Sequence, residues 1–169
     1  MAEPAETDLY QRDFYAWTQD QAARLRALGR DNRFDVAHVA EEISDLGRSQ
    51  LNAVASHLEK LLVHLVKLAW SPAVEPRAHW RQEVLEHHSE AQRAFSAAMH
   101  QDLELDRIWR KAVRRAHVAL VDRDERPLPR GAVLPFTLDE LLADGFDLDL
   151  AEVRVRVALN GDDGAPASG

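Results

Sequence analysis

Residues 35–71 read DVAHVAEEISDLGRSQLNAVASHLEKLLVHLVKLAWS, and their spacing decides the class of fold. Val36, Val39, Ile43 and Leu46 recur at three- and four-residue steps, and Leu51, Val54, Leu58, Leu61, Leu65 and Leu68 resume that rhythm. Such a period lines apolar side chains along one stripe of an α-helix. Asp35 is a good N-cap, and Ser71 with Pro72 closes the segment. The longer step from Leu46 to Leu51 rotates the stripe near Gly47. The segment reads as one helix of roughly 35 residues with a shifting buried face, or as two helices broken at that glycine. Glycine costs a helix interior about 1 kcal/mol relative to alanine.

The same period extends in both directions. Toward the N-terminus, Thr7 can cap a helix to about Leu28, with Tyr10, Phe14, Trp17, Leu25 and Leu28 as its apolar stripe and Gly29 as its stop. Toward the C-terminus, Pro76 opens a third helix through about His100, whose face is Trp80, Val84, Ala91, Phe95 and Ala98. Asp102 or Asp106 starts a fourth, with Ile108, Trp109, Ala112, Val113, Ala116 and Leu120 inward and Arg107, Arg110, Lys111, Arg114 and Arg115 outward. Prolines at 127, 129 and 135 make an irregular connection, after which Thr137 and Glu140 form a capping box for a short helix ending near Gly145. Val153, Val155, Val157 and Leu159 then alternate with Arg154 and Arg156 in the period of a strand. A lone strand must pair with its copy in a dimer, pack as an irregular tail, or be an amphipathic helix in disguise. The expected architecture is all-α: a single-domain bundle of about four main helices over residues 1–147, then a strand-like or irregular tail over 148–169, unstructured at its end.

Composition excludes several classes of function. Hydrophobic residues at 46% and charged residues at 30% place 169 residues among globular domains able to bury a core. A net charge of −8 opposes phosphate backbones and anionic lipid. With no cysteine there is no disulfide, thiolate nucleophile or cysteine-ligated zinc. The acidic start MAEPAETD lacks the features of a secretory leader, and the stretch from Leu58 to Trp70 is interrupted by Glu59, Lys60, His64 and Lys67, so a cytoplasmic protein without membrane spans is expected. Phosphate-cradling glycine loops and nucleophile elbows are absent.

Several clusters are candidate sites, each with a plainer structural reading. His38, Glu41, Glu42 and Asp45 share one side of the long helix, but projection turns Glu41 away from the core, as on a solvated acidic face. His57 and His64, seven residues apart, flank the apolar stripe together. On the third helix Glu83 and His87 both project close to Trp80. A bundle that aims His64, Glu83 and His87 at one spot would line up imidazole and carboxylate ligands as metal-bearing bundles do, although the paired motifs of di-iron bundles are missing. Buried hydrogen-bonded pairs are the structural alternative. The basic face from Arg107 to Arg115 can meet an acidic partner, an RNA backbone, the chain's own long helix, or only water.

Read in order, YQRDFYAWT from Tyr10, AEEISDLGRSQ from Ala40, LLVHLVKLAWSP from Leu61, Trp80, and LPFTLDELLADGF from Leu134 resemble the bacterial family catalogued as domain of unknown function twenty-nine, over roughly residues 8–146. The resemblance implies an all-helical bundle with no assigned activity. It places the family's recurrent positions at Asp13, Phe14, Trp17, Glu41, Glu42, His64, Lys67 and Trp80, with His79, His87 and His88 as departures from its pattern.

The expectation for function is a non-enzymatic helical module acting through a protein partner or self-association. The alternative is metal-dependent or acid–base chemistry on Glu42 and His64, joined by Glu83 and His87, and a weaker one is nucleic-acid binding through the fourth helix. The residues name no cofactor.

Overall fold

The long periodic segment is one uninterrupted helix, Val36–Trp70. In the computed structural model, which describes residues 9–28 and 34–160, it is one of six α-helices that follow a short helical stretch at 9–12. These are α1 (Phe14–Ala27), α2 (Val36–Trp70), α3 (Arg77–Ala94), α4 (Leu105–Val121), α5 (Leu138–Leu141) and α6 (Leu148–Asn160), with a 3-10 turn at Ala97–Met99. No strand occurs among the described residues. The chain divides into two compact units, one of residues up to 55 with 93–103, the other of residues 56–92 with those from 104 onward.

In the first unit, Asp13 caps α1 by accepting from the Ala16 N–H at 2.8 Å. Thr7 and Gly29 lie outside the described residues. The buried side of α1 is Tyr15, Thr18 and Ala22, not the stripe of Tyr10, Phe14, Trp17, Leu25 and Leu28. Size explains this correction. Buried Ala40, Ser44 and Gly47 on α2 leave a shallow surface, and Thr18 and Ala22 fit such close packing where large rings do not. The Cβ of an alanine at Gly47 would lie 2.1 Å from Thr18 Oγ1. Gly47 therefore permits close approach and breaks nothing. Tyr15 donates to Asp102 at 2.7 Å, which engages Asp102 and leaves Glu104 as N-cap of α4.

The second unit buries α2 almost all round. Leu58, Leu61, Leu62, Leu65, Val66 and Leu68 are inaccessible to solvent, facing a core that includes Trp80 and Val84 of α3 and Trp109, Ala112 and Ala116 of α4. The third helix stops at Ala94, short of His100, because the backbone becomes extended at Ser96 before the 3-10 turn. The capping box of Thr137 and Glu140 forms as expected.

The strand-like tail is corrected to a helix, α6. Alternate residues lie about 200° apart on a helix, so Val155 and Leu159 enter the core while Val153 and Val157 remain exposed on the other side. The period-two signal reports two apolar faces of one helix. The intervening arginines are engaged: Arg154 pairs with Glu140 at 2.9 Å, and Arg156 with buried Glu152 at 2.5 Å. Arg77 donates to both oxygens of Glu152 and, at 2.8 Å, to the Leu68 carbonyl, while Arg156 reaches the Ala69 carbonyl. The open C-terminal carbonyls of α2 are thus capped by side chains from α3 and α6.

Candidate functional site

Within the second unit, His57, Lys60, His64 and Lys67 follow one another at helical spacing on an otherwise apolar part of α2, forming a polar line along one side. Against this line α3 brings His79, Glu83 and His87, spaced four apart. The Glu83 carboxylate lies 3.8 Å from His64 Nε2, 3.4 Å from His87 Nε2 and 3.9 Å from His79 Nδ1. His57 Nδ1 and His87 Nδ1 meet at 3.2 Å, a bond in which one ring donates and the other accepts. Glu83 thus brings His64 and His87 together, and His57 and His79 enlarge the cluster.

Charge on this cluster is set by its neighbours. Burial, reinforced by the Lys67 ammonium, pulls His64 from its usual 6.5 down to about 4 against the opposing pull of Glu83. His87 is lowered by burial, then by the charges of Lys60 and His57. His64 is therefore a neutral imidazole at physiological pH, and its Nδ1 is buried without a hydrogen-bond partner. Lys67 is itself depressed by burial and by Arg123 and Arg115. Its ammonium stands 5.8 Å from the centroid of buried Trp80, which Arg123 also approaches at 5.7 Å. Among the described residues, no three histidine or carboxylate groups are arranged to hold a metal ion.

Behind His64 lies a cavity of about 250 Å³, lined by Lys60, Val63, His64, Lys67, Arg115 and Ala119. Arg115 comes from α4, where it and Lys111 each bind the buried Glu59 at 2.6 Å. The basic face of α4 thus meets the chain's own long helix at two of its positions; Arg107 pairs with Glu104 at 3.6 Å, while Arg110 and Arg114 are exposed. Spacing did not single out Lys60 and Arg115 as sharing a cavity with His64, nor Glu59 as the partner of Arg115. Their spacing on α2 was visible, but the placement of α4 was not.

The remaining candidates fall elsewhere. Glu41 and Glu42 are exposed in the first unit, where His38 binds Asp35 at 2.6 Å and Asp45 pairs with Arg48 at 3.0 Å, as on a solvated face. Asp13 is the cap described above. Phe14 and Trp17 stack at 5.6 Å, and Tyr10 meets both edge-on at 5.5 and 4.9 Å, forming a three-ring cluster on the outward side of α1.

No helix among the described residues is long and apolar enough to cross a membrane. The chain is similar to a crystallised alpha-helical protein of unknown function from Rhodospirillum rubrum, with 32% identity and a TM-score of 0.77 over 86% of this chain and 96% of that one. No functionally curated protein matches it. Residues 9–147 match the family model described as domain of unknown function DUF29, so with the fold and the order of its motifs in agreement, the chain belongs to the DUF29 family.

Proposed function

We propose that this DUF29 protein is a non-catalytic helical module that works by self-association through the outward face of α1. One observation carries the reading: the strongest apolar stripe of that helix is not the side it buries. Tyr10 is 46% exposed and Leu28 76%, with half-buried Phe14, Trp17 and Leu25 between them. Rigid aromatic groups presented in this way supply most of the energy of protein contacts. The rim carries both signs, Asp20 paired with Arg24 at 2.7 Å and Arg26 beyond them, so it adds no large single-sign charge that would hold two copies apart. Sedimentation of the full chain across concentrations tests this against a Tyr10→Ser, Trp17→Ser variant. A dimer that the variant loses supports the reading; a strict monomer at every concentration overturns it.

A second reading, acid–base or metal chemistry on the histidine–carboxylate cluster, is favoured by the meeting of Glu83 with His64 and His87. Glu42 is exposed in the first unit. The charges of Lys60 and Lys67 beside both imidazoles favour proton transfer over a divalent cation. Metal analysis of untagged protein, with the stability of His64→Ala, tests it. Absence of stoichiometric metal together with unchanged stability removes the support for that cluster as a site.

A further inference from the structure

In a chain of net charge −8, the surroundings of His64 have the opposite sign. Lys60, Lys67 and Arg115 share one cavity wall, and Arg123 is close enough to Lys67 to depress its ammonium. Of these cations the local carboxylates meet only Arg115, and that in part. Glu59 is buried and divided between Lys111 and Arg115, and Glu83 belongs to the histidine cluster. Among the described residues, no carboxylate lies within ion-pair distance of Lys60 or Lys67. Holding cations together this way, one of them half-buried, costs free energy that a bound anion would offset.

We propose that the cavity walled by Lys60, His64, Lys67 and Arg115 is a binding site for a small oxyanion of the phosphate class.

Three features select that chemistry. Lysine ammoniums are compact point charges that serve phosphate well, and the guanidinium of Arg115 keeps further N–H donors beyond the one given to Glu59. The volume of about 250 Å³ falls below the roughly 300–1,000 Å³ of pockets for drug-sized ligands, which suits a phosphate group with its waters or a small phosphate ester. His64 lines the same space as a neutral imidazole, a ring that can give an N–H to an anion without adding charge of its own. A divalent cation is disfavoured by the same lysines, and a nucleic-acid strand by the charge of the rest of the surface.

Titration calorimetry and thermal denaturation of the full chain with inorganic phosphate, at ionic strength held constant with chloride, test the proposal. Phosphate is expected to bind and to raise Tm, with affinity falling about tenfold, the worth of one charge-assisted hydrogen bond, in Lys67→Met and in Arg115→Gln. Lys60→Ala, altered only at an exposed side chain, secures the test if either of those variants fails to fold, and is expected to weaken phosphate several-fold. The His64 ring resonances should move on phosphate addition and not on chloride addition. Glycerol phosphate separates two sources of the same chemistry, since tighter binding than inorganic phosphate marks an ester ligand and weaker binding a free ion, and either supports the site. Stabilisation by phosphate no greater than that by chloride, or equal affinity in the wild type and in a Lys60→Ala, Arg115→Gln double variant, overturns it. The sedimentation test of self-association reads the other unit, so the two proposals fail separately.

Discussion

Gly47 of α2 passes so close to Thr18 of α1 that a methyl group added there would lie 2.1 Å from the threonine oxygen and 2.8 Å from the Gln19 amide. Thr18 is wholly buried and donates its hydroxyl proton to the Tyr15 carbonyl, so it has little room to yield. Gly47→Ala is therefore expected to destabilise by about 2 kcal/mol even though alanine is the better helix former, as overpacking outweighs propensity. Thr18→Ala in the same chain should restore part of the loss. Urea midpoints of the single and double variants measure both.

The neutral state of His64 makes stability depend on pH with a definite sign. Its folded value of about 4 lies below the usual 6.5, so between those values the unfolded chain takes up a proton that the folded chain refuses. Stability should fall as pH drops from about 6.5 to 4 and stay level above that window. The contribution is about 2 kcal/mol once partial exposure is allowed for. Because His87 and His88 are lowered as well, the informative quantity is the difference between wild type and His64→Gln, which should lose this part of the slope in denaturant titrations at pH 7 and pH 4.5.

Glu59 offers the opposite case. Its carboxyl is held below the usual range by hydrogen bonds from Arg115 and Lys111, which prevail over burial. The stability it provides is complete above the normal carboxylate range and lost as acid protonates it. Since both partners are more than half exposed and can be rehydrated, Glu59→Gln should cost about 1–2 kcal/mol at pH 7. The gap between variant and wild type should narrow as acid protonates Glu59, which chemical denaturation at pH 7 and at successively lower pH checks.

A chain ended after Asp147 would lose Leu148, Ala151, Val155 and Leu159 from the core, together with the Glu152 carboxylate that Arg77 grips. Each buried leucine or valine is worth about 1.5–3 kcal/mol, so the truncated chain is expected not to melt cooperatively. Near-ultraviolet circular dichroism and calorimetry decide it. A sharp transition at the wild-type Tm would show α6 to be an accessory.

The main helices were legible in the sequence because they follow from periodicity, and the sides of their helices on which His64, Glu83 and His87 lie can be read from spacing alone. The side α1 turns inward was not. Its large residues form the better stripe, yet the close approach at Gly47 admits small ones, and that depends on a partner surface distant in sequence. The same holds for α6, where alternating valines satisfy a strand template and a helix with two apolar faces equally well. Lys60, Lys67 and Arg115 could each be read as solvated charges. Only the packing of α4 against α2 reveals that they border one cavity.

The arginine caps on α2 have a consequence for biosynthesis. The Ala69 carbonyl receives its bond from Arg156, 87 residues further along the chain. A nascent polypeptide still lacking α6 must therefore carry the end of its longest helix unfinished, its terminal carbonyls met only by water and by Arg77. The second unit can close only after α6 has left the ribosome, so its assembly waits on its last helix rather than proceeding piece by piece.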